Sequence, residues 1–232
     1  MHRHANGLAF LMLFLLAGCD QALVVPSTFP EPLVQPLPLD VALHFTTEFA
    51  NYQYHEDVPN DVEWNINLGQ ANVALFESVS RRLFRSATRV DSRLTGADPT
   101  RFQAIIEPSV AAFEFSLPGQ SATNQYSVWI RYTIQVFRPN GELLTSWNIS
   151  AYGESDSSML RPSRSMEQAT ILALRDAAAL ITVGFAREAR AHGVLPQDSQ
   201  DNSSKRKPDP DQPDQDEESP PLSESDAAGN GQ

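Results

Sequence analysis

Cysteine is almost absent from this chain, with Cys19 the single instance in 232 residues. No internal disulfide can form, so the fold rests on packing, and a thiol nucleophile or a cysteine-built metal site is excluded from the body. Lysine is nearly as scarce: all thirteen basic residues between Cys19 and Pro196 are arginine. The sequence signatures of common chemistries are missing as well. There is no Gly-x-Ser-x-Gly elbow, no P-loop and no dinucleotide fingerprint. His44, His55 and His192 stand at no metal-ligand spacing. No cofactor is implied and an enzyme is not expected. Positive charge is in short supply overall, with a net of −12, which argues against nucleic acid as a partner. Long apolar runs are lacking too. Leu8–Leu16 is apolar but too short to span a bilayer, which takes about 20 residues, and nothing later reads as membrane-spanning.

What that short run does have is a telling end. Arg3, with His2 and His4, makes a weakly positive start, and Leu16-Ala17-Gly18-Cys19 follows the apolar stretch. Small residues before a lone cysteine read as a lipobox, the cleavage signal of bacterial lipoproteins. Residues 1–18 are then a signal peptide, and Cys19 becomes the first mature residue, carrying a diacylglycerol and usually a third chain on its amine. Two or more acyl chains hold a protein stably on a membrane where one is marginal. Asp20 directly after the cysteine resembles the signal that retains lipoproteins in the inner membrane of enteric bacteria, with the outer membrane the alternative. Either way the body faces the periplasm.

Composition divides the mature chain. From Asp20 to Pro38 come Pro26, Pro30, Pro32, Pro36 and Pro38, so 19–38 reads as a lipidated tether in extended geometry. At about 3.1 Å per residue it stands the body off the membrane by up to roughly 60 Å, unless Leu23, Val24, Val25 and Leu33 dock on the domain or a partner. Residues 39–196 form one domain large enough to bury a real core. From Gln197 to Gln232 there are ten acidic and three basic residues, a net of −7, with almost nothing apolar. Such a tail is expected to stay disordered.

Within the body, Leu39, Val41, Leu43 and Phe45 alternate with polar or small residues and predict a strand. Asn51–Asn67 reads as a polar, irregular loop carrying Tyr52, Tyr54 and Trp64. Val73, Phe76, Val79, Leu83, Ala87 and Val90 recur at steps of three and four, predicting a helix over Gly69–Val90. Three strands follow. Phe102–Phe115 is interrupted by Pro108, which implies an edge or a bulge. Tyr126–Phe137 and Leu143–Tyr152 flank Pro139-Asn140-Gly141, a strong hairpin signal because Asn-Gly accepts positive φ. Ser165 and Gln168, at capping-box spacing, open a helix to about Ala191, closed by His192-Gly193. The expected fold is α+β, in the order strand-helix-strand-strand-strand-helix. Two long helices would pack on one face of a mostly antiparallel four-stranded sheet.

Candidate functional residues are few. Arg81, Arg85 and Arg89, with Arg82 and Arg93 nearby, would form a basic stripe opposite the apolar face of the first long helix. Arginine forks suit phosphate, so the stripe fits anionic lipid, lipopolysaccharide or an acidic partner, and equally a solvated face. Glu56, Asp57, Asp61 and Glu63 cluster, but match no calcium-loop spacing. Glu154 and Asp156, a conceivable acid–base pair, fall in a Ser-rich loop after the last strand. Trp64, Trp129 and Trp147 are expected to fill core.

The lipobox, first strand, long helix, Asn-Gly hairpin and closing Ala-rich helix resemble small envelope lipoproteins of Gram-negative bacteria. The nearest types are the lipopolysaccharide-assembly accessory lipoprotein and the ABC-transport auxiliary lipoproteins, with Tyr126–Ala189 carrying most of the likeness. The resemblance implies a non-catalytic accessory of envelope assembly or lipid traffic. It would act on an envelope protein complex or on lipid or lipopolysaccharide directly. The Asn51–Asn67 insertion and the acidic tail depart from that pattern.

Overall fold

The computed structural model describes residues 21–25, 33–59, 63–93, 98–120, 123–158 and 161–191. Cys19, Asp20, Asp61, the His192-Gly193 stop and the acidic tail therefore lie outside the described residues. Eight strands and three helices follow one another in these segments. They are β1 (Gln21–Val24), β2 (Leu37–His44), α1 (Thr47–Ala50), β3 (Gln53–Asp57), β4 (Glu63–Asn67), α2 (Gly69–Leu83), β5 (Phe84–Val90), β6 (Ala104–Ser116), β7 (Gln125–Phe137), β8 (Leu143–Asp156) and α3 (Pro162–Ala191).

The fold is α+β, but the main sheet is mixed and five-stranded, in the order β5-β2-β6-β7-β8. β2 is parallel to both β5 and β6, while β6, β7 and β8 run antiparallel. The extra strand is β5, inside the stretch expected to be helical. Helix α2 stops at Leu83, where Phe84 turns extended (φ −118, ψ 157). Val73, Phe76, Val79 and Leu83 are buried as the helical pattern requires. Beyond them Ala87 pairs with Val41, and Val90 turns to the opposite face of the sheet. The three-residue spacing of Ala87 and Val90 fits a helix, and pairing with the edge of β2 overrides it. Helix α2 is thus the crossover that returns the chain for parallel pairing.

A second sheet, β1-β4-β3, accounts for the other departures. Asn51–Asn67 is no irregular loop. β3 and β4 form an antiparallel pair, with Trp64 and Ile66 buried between polar neighbours. β1 comes from the tether and adds in parallel to β4, with Leu23 and Val25 buried. The tether is therefore not a plain linker: its start is a strand of the body and its end, Leu37-Pro38, already belongs to β2.

The strand expectations past residue 100 hold with small shifts. Val128, Ile130, Tyr132, Ile134 and Val136 are all buried on one face of β7. Pro108 sits past Ile106, the last β6 residue paired with β2, and the bulge falls at Val110/Ala112. At the hairpin, the Gly141 amide donates to the Arg138 carbonyl (2.9 Å) and Gly141 takes φ 87. Helix α3 starts a turn earlier than the capping-box spacing suggests. Pro162 lies in its first turn, where a missing amide hydrogen costs nothing, and Ser165 is buried within it. By composition α3 is long and apolar enough to cross a membrane, with a mean hydropathy of 1.6 over 18 residues, contrary to the sequence expectation; half of that window is buried inside the protein.

The core lies between the main sheet and a layer made of α2, α3 and the small sheet. Phe49, Phe76 and Tyr132 meet edge-on at 5.6–6.5 Å. Trp64 packs against Phe115 and Tyr126 at one end, and Phe84 against Phe185 at the other. A smaller cluster, Ala42, Phe102, Ile105 and Phe137, occupies the opposite face of the sheet.

A candidate arginine groove

Helix α2 and strand β5 meet without a loop, and that junction decides where the arginines go. Arg81 and Arg82 stand in the last turn of α2, where a cation opposes the partial negative charge of the carbonyl end. Arg85 is one residue into β5. The expected helical stripe of Arg81, Arg85 and Arg89 therefore does not exist, because the helix ends between the first and the second.

Two of the three nevertheless converge. Arg81, Arg82 and Arg85 line an open groove of about 820 Å³ together with Leu33, Val34, Pro36, Leu37, Pro38 and Phe84. One wall is cationic; the other is the end of the tether and the first residues of β2. Leu33 is fully exposed and Val34 partly so. Arg85 grips Asp40 through Nε (3.0 Å) and a second guanidinium nitrogen, and Ser86 Oγ donates to the same carboxylate (2.7 Å). The Arg85 and Ser86 hydrogen bonds hold the Asp40 pKa at about 2, well below its ordinary 3.8. Asp40 thereby offsets one of the three groove charges and fixes the Arg85 fork.

Arg89 goes elsewhere. It faces α2, where NH1 lies 3.7 Å from Glu77 Oε1 and the guanidinium caps the Phe45 ring at 5.5 Å. Arg93 lies over Phe137 at 3.9 Å and reaches Glu107, which also accepts the close contact of His44 Nδ1 (2.6 Å). Both are structural arginines of the two cores.

Of the acidic candidates, Asp57 and Glu63 stand opposite each other across the β3–β4 pair. Glu56 accepts a hydrogen bond from Tyr54 (2.5 Å), while Glu63 sits 3.4 Å from His55, whose Nδ1 also meets Asn65 (2.7 Å). Glu154 and Asp156 belong to β8 rather than to a loop after it, with Glu154 accepting from Tyr152 (2.7 Å) and Asp156 facing Gln125 (3.4 Å). Among the described residues no three His, Asp or Glu side chains group closely enough to hold a metal ion. Of the tryptophans, Trp64 is buried, Trp147 is packed against the core, and Trp129 is 41% exposed beside Tyr152 on the uncovered sheet face.

Of the apolar half of the groove, the sequence singles out Leu33 as a residue able to dock, but not Val34, and it places Phe84 inside the expected helix. The available signal is local: Pro36-Leu37-Pro38 abuts a strand, so the residues just before it cannot lie far from the body.

No family model matches the chain, and no curated protein is similar to it. Several solved structures are. One is a Xanthomonas campestris protein of the DUF330 family, at 12% identity over 75% of this chain and 98% of that one, with a TM-score of 0.48. Another is an uncharacterized lipoprotein B of Nitrosomonas europaea, at 13% identity, 71% and 97% coverage and a TM-score of 0.38. A third is the rare lipoprotein B of Shewanella oneidensis, at 16% identity, 64% and 94% coverage and a TM-score of 0.33.

Proposed function

We propose that this chain is a lipid-anchored, periplasm-facing module of the bacterial envelope that works by binding rather than catalysis. Cys19 carries the anchor, and Asp20 favours the inner membrane, with the outer membrane the alternative. The binding site is the groove of Arg81, Arg82 and Arg85. The observation that supports it is the convergence of these three arginines on exposed Leu33 and Val34. A cleft that is basic on one side and apolar on the other fits an acidic, amphipathic segment of an envelope protein complex. Arginine forks would take its carboxylates and the apolar wall its hydrophobic residues. The second reading is direct binding of lipid or lipopolysaccharide, in which phosphates replace the carboxylates.

The test is crosslinking and co-purification of the lipidated protein from its native membranes, with two charge reversals. Arg81→Glu should lose the envelope protein that the parent retains, and Arg89→Glu should keep it, because Arg89 spends its charge on Glu77. Equal retention by both variants refutes the groove. Recovery of lipid or lipopolysaccharide alone, lost with Arg81→Glu, selects the second reading.

A further inference from the structure

The register of β1 decides which end of the body touches the membrane. Gln21 pairs with Trp64, and Trp64 packs at 6.0–6.1 Å against Phe115 and Tyr126, at the β6–β7 end of the main sheet. Tyr126 pairs with Ser155, and Ser155 Oγ donates to the Ser165 carbonyl at 2.6 Å, so the start of α3 lies at this end as well. Cys19 is two residues before Gln21, a reach of at most about 7 Å.

The groove lies at the other end. β2 is parallel to β6, with Val41 opposite Ala104, and Leu37 pairs with Phe84 of the groove wall. From Leu37 up β2 and on along β6 to Phe115 is roughly 45–50 Å at about 3.3 Å per residue. Phe185, near the far end of the long helix α3, meets Phe84 edge-on at 4.7 Å, which places the groove at the opposite pole from the start of α3.

From this geometry we infer that β1 clamps the body directly onto the bilayer. Its membrane-facing surface is the β6–β7 end of the main sheet, with residues 117–120, Ser157, Ser158 and the start of α3, and the arginine groove points away from the membrane. This inference rests on lipidation of Cys19 and sharpens the reading of the groove. The occupant is not the headgroups of the protein's own bilayer but a partner that reaches it from the periplasmic side. With Gln21–Val24 paired to β4 and Leu37-Pro38 already in β2, the tether is not a free spacer. The surface it holds down carries Arg161 and Arg164 together with the acidic Asp57, Glu63 and Asp156. The attachment, rather than net charge, therefore sets the orientation.

The experiment uses the full lipidated protein in vesicles of phosphatidylethanolamine and phosphatidylglycerol that carry a headgroup-attached nitroxide quencher. A single fluorophore is placed by Ser158→Cys in the β8–α3 loop or by Leu143→Cys at the Asn-Gly hairpin, both exposed sites; the lipidated Cys19 thiol does not react. The fluorophore at 158 should lose most of its intensity and the one at 143 none. Inserting twelve Gly-Ser residues between Asp20 and Gln21, a spread of about 20 Å, should restore the signal at 158. Equal quenching at both sites, stronger quenching at 143, or an insertion without effect overturns the orientation and leaves lipidation standing. A protein that does not float with the vesicles and carries no acyl mass overturns both.

Discussion

Helix α3 lies so close to β8 that one residue in the strand has no room for a side chain. An ideal Cβ built on Gly153 would fall 2.2 Å from both the Ala169 carbonyl oxygen and the Ala173 amide nitrogen. The helix makes this approach possible by presenting Ala169, Ala173 and Ala177, all fully buried. In Gly153→Ala the helix must retreat by about 1 Å to restore ordinary contact, which opens gaps along that alanine ridge in an interior packed like a crystal. Overpacking of this kind costs about 3 kcal/mol. For a body of this size that lowers Tm by roughly 6–12 °C. Gly184 in the same helix is the matched control. Its added Cβ would meet Trp147 Nε1 at 3.5 Å, an ordinary contact, and Gly→Ala in a helix interior gains up to about 1 kcal/mol. Gly184→Ala should therefore raise Tm by about 2–4 °C. The assay is thermal unfolding followed by circular dichroism on Cys19→Ser protein lacking residues 1–18. A Gly153→Ala protein that melts at or above the parent would refute the close helix–strand contact.

Tyr132 donates to Asn72 Oδ1 at 2.7 Å, with both side chains fully buried, and burial pushes the phenol far above its usual pKa so that the donor is retained. Tyr132→Phe orphans that oxygen beside an Asn72 Nδ2 that already has no partner. It should lower urea stability by about 1–3 kcal/mol with an unchanged m-value; an unshifted midpoint refutes this. Asp40 provides the pH test. Its pKa is depressed to about 2 from 3.8, chiefly by the Arg85 hydrogen bond. Its stabilisation is therefore complete above the unfolded value and lost as pH falls through the folded one. Carboxyl NMR should show Asp40 titrating near pH 2 in the parent and moving toward 3.8 in Arg85→Ala. A parent value near 3.8 breaks the argument for a preset Arg85 fork.

Some of this protein is written in local pattern. The proposed lipobox, Leu16-Ala17-Gly18-Cys19, is a four-residue pattern that needs no fold. The Asn140-Gly141 turn and the alternation of β7 follow from backbone preference and strand period, and both stand as expected. The long apolar face of α3 likewise needs nothing outside its own segment to be recognised. Elsewhere the same local information points two ways. Phe84–Val90 continues the helical spacing of its apolar residues, and pairing with β2 overrides it. That one choice ends α2 at Leu83, separates Arg89 from Arg81 and Arg85, and brings Phe84 to the wall of the groove. Tyr54 and Glu63–Asn67 look polar and loop-like until Trp64 finds Phe115 and Tyr126, far away in sequence. The tether shows the same limit, since nothing in Gln21–Val24 reveals that β4 offers it a parallel edge. By itself the sequence determined the elements whose period is unambiguous. Tertiary structure decided the strand pairings, hence which arginines meet and which way they face, because a hydrogen-bonding edge is supplied by residues that no local window contains.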